Sequence, residues 1–534
     1  MRNGDDTPLE PKGNIKKRKG TVNDNNDTKK RSSSSSPSLL TEIPAVKCPL
    51  NFSSAQSLLE SLLGPACTLD EFFAQYWEKK ILLIKAIERN TSDEPNKAQQ
   101  FVEYFGQLFN LGILEEIIKS HHLEHNVDMN ACHYVNGKRT NSQDKGLIKL
   151  KDVNLQFNKK KRTLQFHQPQ RFCDEFWKMQ ELMEVYFGSL VGCNIYMTPC
   201  ETQGLAPHYD DVEVFILQLE GSKRWKLYSP LKELPMDPSE DLDETAMKKV
   251  RLISELTLNP GDVLYFPRGT IHQAQAVGKI NCQMSINVNL AAVISFHIFC
   301  IIGEGHSTHA TISTYQSHTW ANYFMSTMPF LADKWTENVL SLRKGLPIHY
   351  HSKVNRDLFK QKLKQALYAM AEASTSEDVI YSTCDSITSD FFANRLPPFK
   401  FKDEPIGKVP SLDSSVRLTH PNHVRISKGK ALYDEEDTLD EEDDLDETDD
   451  SSDECLAVFV YHSLSNDKLN HMVGESKNKP KGLRFDESCW DSLKRLRDSD
   501  GNYVSVKELD MPEFIGHDML VALWSEGIIE TKII

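Results

Sequence analysis

Three side chains in the middle of the chain have the types and spacing of a metal centre. In Pro207-His208-Tyr209-Asp210-Asp211-Val212-Glu213-Val214-Phe215-Ile216, an imidazole and a carboxylate stand two residues apart where a β-branched run begins. Residues i and i+2 of an extended chain share a face, so His208 and Asp210 can converge on one point. Further on, Pro260-Gly261-Asp262-Val263-Leu264-Tyr265-Phe266-Pro267-Arg268-Gly269-Thr270-Ile271-His272 brackets a short strand with two turn signals and so sets the depth of His272. Two imidazoles and one carboxylate cover one face of an octahedral Fe(II). Three adjacent positions stay open, enough for a bidentate 2-oxoglutarate and then dioxygen. The remote carboxylate of that cosubstrate needs a buried cation. Lys223, in Gly221-Ser222-Lys223-Arg224-Trp225-Lys226-Leu227-Tyr228, is spaced to supply one, whereas Arg224 and Lys226 have the opposite strand parity and should face out. A His-x-Asp pair alone is weak evidence. Its combination with this lysine and a Pro-x-Gly-x-x-His is specific. On the residues alone, a metal-binding protein that uses no 2-oxoglutarate and a purely structural role both stay open.

The elements that must position these groups follow from texture. From Asn194 to Asn289 the chain runs in short β-rich segments separated by Pro and Gly turns, as in a jelly roll, and the G-x5-P-x-G-x2-H spacing is typical of cupin-like ones. Ahead of it, Leu58, Leu59, Leu62 and Leu63 recur at helical spacing, Thr68 with Glu71 makes a capping-box pattern, and an amphipathic helix is predicted over Asp174–Phe187. Residues 326–395 read as helices again, with Leu358, Leu363, Leu367 and Met370 as their apolar stripe and Pro397-Pro398 as the stop. Beyond lie strands over Val424–Tyr433 and Cys455–Leu464 and helices near Cys489–Leu496 and His517–Trp524. The fold class is therefore α+β, in several domains.

Composition bounds the rest. At 534 residues with 39% hydrophobic content, the chain can build several cores. Eleven cysteines without any CxxC pair encode neither a disulfide framework nor a zinc finger, which fits a reducing compartment. The charged N-terminus argues against secretion, and no membrane contact is expected. Residues 1–47 read as a disordered basic tail, and its clusters Lys16-Lys17-Arg18-Lys19 and Lys29-Lys30-Arg31 have the layout of a bipartite nuclear-import signal. The net charge of −15 equals the fifteen Asp and Glu of residues 434–454, which contain no Lys or Arg, so the remainder is neutral and the acidic run is a solvated insertion. Residues 456–534 carry ten Lys or Arg against thirteen Asp or Glu, so the C-terminal module lacks a basic footprint and direct nucleic-acid binding by the protein is not expected.

The segments HYDDVEVFILQLEG, PGDVLYFPRGTIHQA and HSTHATISTYQ, with FHQPQRF at Phe166–Phe172 and RLPP at Arg395–Pro398, closely resemble the JmjC ribosomal oxygenases, in particular their Mina (Myc-induced nuclear antigen) type. The resemblance covers the chain from about Asn51 onwards. It implies a JmjC double-stranded β-helix over 48–325, a helical dimerisation domain over 326–400, and a C-terminal winged helix over 401–534 that carries the acidic insertion. By motif, His208, Asp210 and His272 match the iron ligands, and Lys223 and Thr311 match the residues that hold 2-oxoglutarate. Gln165, Asn194, Tyr196 and Ser313 match the lining of the substrate pocket.

That family hydroxylates a histidine of a large-subunit ribosomal protein and has also been assigned histone lysine demethylation. The resemblance thus implies a histidyl hydroxylase, with a lysine demethylase or a non-catalytic assembly or chromatin factor as alternatives, acting as a homodimer in nucleus and nucleolus. One departure stands out. Where the family runs almost directly from HQA to HSTH, this chain inserts the apolar stretch 278–302, which reads as a translated intron.

Overall fold

The computed structural model describes residues 46–278, 305–348, 355–375, 377–402, 405–429, 457–474, 478–512 and 515–533. The basic clusters of the tail, the acidic run 434–454 and, apart from Gly278, the stretch 278–302 lie outside them. Among the described residues, no helix is long and apolar enough to cross a membrane.

Eleven strands make two antiparallel sheets. They are β1 (Leu82–Ile84), β2 (Met129–Val135), β3 (Lys138–Asn141), β4 (Thr163–His167), β5 (Val191–Pro199), β6 (Glu213–Glu220), β7 (Lys223–Tyr228), β8 (Leu252–Leu258), β9 (Val263–Phe266), β10 (Ile271–Ala276) and β11 (His306–Thr314). The large sheet runs β1-β9-β6-β11-β5-β4-β2-β3 and the small one β10-β7-β8.

Strand β6 explains how they stack. All but the last of its residues are buried, so both its faces are covered. Its odd-numbered Phe215, Leu217 and Leu219 join the core formed with the N-terminal helices and the helix Asp174–Phe187. Its even-numbered Val214 and Ile216 join Trp225, Leu227, Leu258, Leu264 and Phe266 between the two sheets. A one-residue slip would exchange the two cores, so the register is strongly specified.

The helix Ala55–Leu63 buries Leu58, Leu59, Leu62 and Leu63 and is capped by Ser54, and the Thr68 hydroxyl accepts from the Glu71 amide. After the jelly roll come the helices Trp320–Asn338, Arg356–Ser374 and Glu377–Asn394. The C-terminal segment holds two three-stranded sheets, β16-β12-β17 and β13-β14-β15, formed by β12 (Ser414–Leu418), β13 (Val424–Gly429), β14 (Ala457–His462), β15 (Lys481–Asp486), β16 (Val504–Ser505) and β17 (Ile529–Ile533). With the helices Trp490–Asp498 and Gly516–Ser525, they enclose a core of Val416, Val458, Val460, Leu493, Leu520 and Leu523.

Candidate metal centre

His208 and Asp210 stand in the lead-in to β6, just outside regular strand, and His272 is the second residue of β10. The two motifs are stitched together through the backbone. The His208 amide donates to the His272 carbonyl (3.2 Å), the His272 amide to the His208 carbonyl (2.8 Å), and the Gly269 amide to the Asp210 carbonyl (2.9 Å). Gly269 has φ +83°, and a Cβ there would come within 2.5 Å of Pro235, so this turn admits only glycine.

The side chains converge. His208 Nε2 lies 3.8 Å from Asp210 Oδ1, His272 Nε2 lies 3.7 Å from Asp210 Oδ2, and one ligating atom from each residue falls within 4.8 Å of the others. Each imidazole is oriented by a carbonyl two residues before it: His208 Nδ1 sits 2.8 Å from Ala206 O and His272 Nδ1 3.0 Å from Thr270 O. A carbonyl only accepts, so the ring proton is on Nδ1 and the Nε2 lone pair is free for a cation. Burial, together with neighbouring His208, pushes His272 down to about 4, which keeps it neutral at physiological pH. Two imidazoles and a carboxylate fit a divalent first-row metal that keeps open positions.

Behind the turn that delivers His272, a buried charge network holds the backbone. Arg268 Nη1 reaches Glu213 Oε1 (3.2 Å) and Glu78 Oε1 (2.7 Å), and the Tyr265 hydroxyl donates to Glu213 Oε2 (2.5 Å) and accepts from the Glu78 amide (2.8 Å). Burial raises Glu213 to about 7, against the pull of Tyr265 and Arg268.

Lys223 is buried at the start of β7 and lines the same cleft as the three candidate ligands, with Tyr196 and Thr311. Its Nζ donates to Thr198 Oγ1 (3.2 Å) and lies 3.4 Å from His309 Nδ1. Burial and Lys223 hold His309 far below its usual range, so it is neutral and can accept. Burial also lowers Lys223 to about 7, and among the described residues no carboxylate pairs with it. A desolvated ammonium with only neutral partners fits an anionic ligand. Arg224 is exposed and Lys226 half-buried.

Strand register brings the remaining candidates side by side: Gln165 opposite Tyr196, Asn194 opposite Thr311, and Ser313 opposite Gly192. The Gln165 amide donates to the Tyr196 hydroxyl (3.0 Å), and Asn194 Oδ1 pairs with His167 Nδ1 (2.9 Å). Tyr196 and Thr311 line the cleft, whereas Asn194 and Ser313, on the same two strands, and Gln165, on β4 with the cleft-lining Thr163, do not. Sequence reasoning missed His309 and Thr198. His309 shares the strand parity of Thr311 and Ser313, and its ring stacks on Tyr196 at 5.0 Å and 7°. That parity was the available signal.

A family model described as "JmjC domain" matches residues 165–294. Ribosomal oxygenase 2 of Bos taurus is 36% identical to this chain over 90% of its length and 93% of the relative's. The chain belongs to the ribosomal oxygenases. Another relative of this ribosomal oxygenase, from Culex quinquefasciatus, is 30% identical over 71% of the chain and 55% of its own length, and bears the name bifunctional lysine-specific demethylase and histidyl-hydroxylase NO66. Among solved structures, E. coli ycfD aligns over 87% of the chain and 98% of its own, at 13% identity and a TM-score of 0.42. As a JmjC ribosomal oxygenase the chain is a 2-oxoglutarate-dependent dioxygenase.

Proposed function

We propose that this enzyme hydroxylates a histidine side chain of a large-subunit ribosomal protein, with His208, Asp210 and His272 holding Fe(II) and with Lys223 and Thr311 holding the remote carboxylate of 2-oxoglutarate. The observation that carries the reading is the single cleft in which two tautomer-locked imidazoles, one carboxylate and a buried lysine without a counter-charge face each other. When bound, the iron with its cosubstrate and dioxygen supplies the oxidising power that places one oxygen atom in a C–H bond. The chain's own residues do the rest. Backbone carbonyls aim both Nε2 atoms, and Lys223 fixes the cosubstrate's orientation. The amide and hydroxyls of Gln165, Tyr196, Asn194 and Ser313 on neighbouring strands suit an imidazole that must be oriented by hydrogen bonds.

Finer assignments belong to the same proposal. A homodimer built on the helices of 326–400 is supported by Leu363 and Leu367, which leave 49% and 52% of their surface exposed, and by Tyr368 at 74%. Residues 401–534 form a winged-helix domain, and the basic clusters of the tail direct the protein to nucleus and nucleolus. The stretch 278–302 is read as a translated intron. Consecutive residues hold its two described flanks: the Cys200 amide donates to the Gly305 carbonyl (2.9 Å) and the Glu201 amide to the Ala276 carbonyl (3.0 Å), so β10 and β11 can be joined without it.

The test uses full-length protein, with and without residues 278–302, incubated with Fe(II), 2-oxoglutarate and either ribosomal proteins or methylated histone peptides. Gain of one oxygen on a histidine, seen by mass spectrometry, is the expected result. Loss of methyl groups from lysine, without histidine oxidation, would replace the hydroxylase by a demethylase.

A further inference from the structure

A strongly basic stretch leads into the cleft. Residues 138–162 read KRTNSQDKGLIKLKDVNLQFNKKKR, nine Lys or Arg against Asp144 and Asp152, a net +7 on a chain whose total is −15. Lys138, Lys145, Lys149, Lys151, Lys159 and Lys160 are all exposed, and no ion pair engages them among the described residues. The two acids are occupied within the face. Asp152 accepts from the Lys149 amide (2.9 Å) and Asp144 from Gln156 Nε2 (2.5 Å).

The face is one surface although its charges come from two arms. Gln156 Nε2 also donates to Ser142 Oγ (3.1 Å), and its Oε1 accepts from Arg162 (3.1 Å), which clasps the β3 arm to the Lys159–Arg162 run. That run leads directly into β4, whose first residue, Thr163, lines the cleft with Lys223 and the three candidate iron ligands.

We infer that this lysine face binds the phosphate backbone of RNA at the mouth of the cleft, so that the enzyme engages its ribosomal-protein substrate together with RNA. The inference rests on the ribosomal-protein reading above. Ribosomal proteins are basic, and a positive rim repels a basic chain; an accompanying polyanion reverses the sign. Lysine ammonium groups, unlike arginine forks, act as point charges suited to phosphates without base readout. The C-terminal module, at net −3, offers no such surface; this face lies on the jelly roll and runs against the expectation that the protein does not bind nucleic acid.

The experiment is fluorescence anisotropy of a labelled single-stranded RNA against the full-length protein over a salt series, without turnover. The proteins are wild type, Lys159→Glu/Lys160→Glu and, as a control, Lys494→Glu/Lys507→Glu in the C-terminal module. The expected result is binding by wild type that weakens steeply with salt. The face variant should lose at least about tenfold in affinity and flatten the slope of log K against log salt by roughly 0.7 per lost contact, with the control unchanged. Equal loss in the control, no RNA binding by wild type at low salt, or tighter binding of a labelled polyglutamate would overturn the inference. Hydroxylation of a free ribosomal-protein peptide by the face variant is measured alongside, so that failure of RNA binding and failure of the hydroxylase reading are separate results.

Discussion

The mouth of the jelly roll and the helices between 320 and 394 are built on opposite terms. At the cleft, polar groups are fixed by neighbours: the ring Nδ1 atoms by carbonyls, the two candidate ligand motifs by each other's backbone, and the Pro267–Gly269 turn by the Glu213–Arg268–Glu78 network. Among the described residues, the buried Lys223 ammonium has no carboxylate partner. In the helices the local signals are equally good, with Thr319 and Asn355 as N-caps and a small core of Leu331, Trp335 and Val339. Yet the helix Arg356–Ser374 buries none of its residues. One region is finished within the chain; the other lacks apolar cover. Function and assembly should therefore fail separately.

The sharpest break is at the ligands. Asp210→Ala should abolish 2-oxoglutarate turnover, a loss above the roughly 10–100-fold typical of residues that merely orient metal ligands, while oligomeric state and melting temperature stay close to wild type. Coupled loss of assembly would show that the two regions are not independent.

Lys223→Met comes next. Removing one member of a buried charge pair costs about 2–5 kcal/mol, which should appear as a raised KM for 2-oxoglutarate and a lost thermal shift on its addition. Without ligand the sign reverses, because the variant no longer buries an unpaired ammonium. The folded-state pKa of Lys223 is lowered to about 7, so the unfolded chain holds that proton to higher pH. Wild-type apo stability should therefore rise with pH above about 7, a limb absent from the variant. The cosubstrate needs the charged form, so wild-type affinity for it should fall over the same range. Calorimetry across pH checks both limbs.

Arg268→Met tests the bracing network. Leaving a buried carboxylate unpaired costs about 3–5 kcal/mol, but Glu213, already raised to about 7, can take a proton and limit the loss in acid. Denaturant titration should find the variant's deficit larger at pH 8 than at pH 6, with weakened iron binding because the turn that places His272 is freed.

The uneven legibility of the sequence follows from the same contrast. Where chemistry forces residue type and spacing together, the chain could be read residue by residue: His208, Asp210, His272 and Lys223 meet in one cleft, and the helix Asp174–Phe187 has the bounds its apolar stripe suggested. Contacts that link distant segments leave no local trace. Nothing near Arg268 announces Glu78, and nothing in Gln170 or Glu184 announces His471, which lies 2.8 and 2.7 Å from them across the boundary with the C-terminal segment. His309 was missed because the parity it shares with Thr311 belongs to every second residue of that polar strand. Leu358, Leu363 and Leu367 show the opposite limit, since periodicity marks an apolar stripe without saying which chain covers it.

That stripe carries the mildest prediction. Leu363→Glu with Leu367→Glu changes two side chains already half in water, so the stability of a single chain should shift by no more than about 0.5 kcal/mol per site. If a second copy covers the face, the pair of charges would be desolvated on association, and light scattering should find monomers at concentrations where wild type is dimeric. Turnover of a free peptide should stay within about twofold, because no residue of the helix lines the cleft. A variant that remains dimeric would move the interface elsewhere. One that becomes monomeric and inactive would mean that the cleft, complete as it stands in one chain, takes its working shape only in the pair.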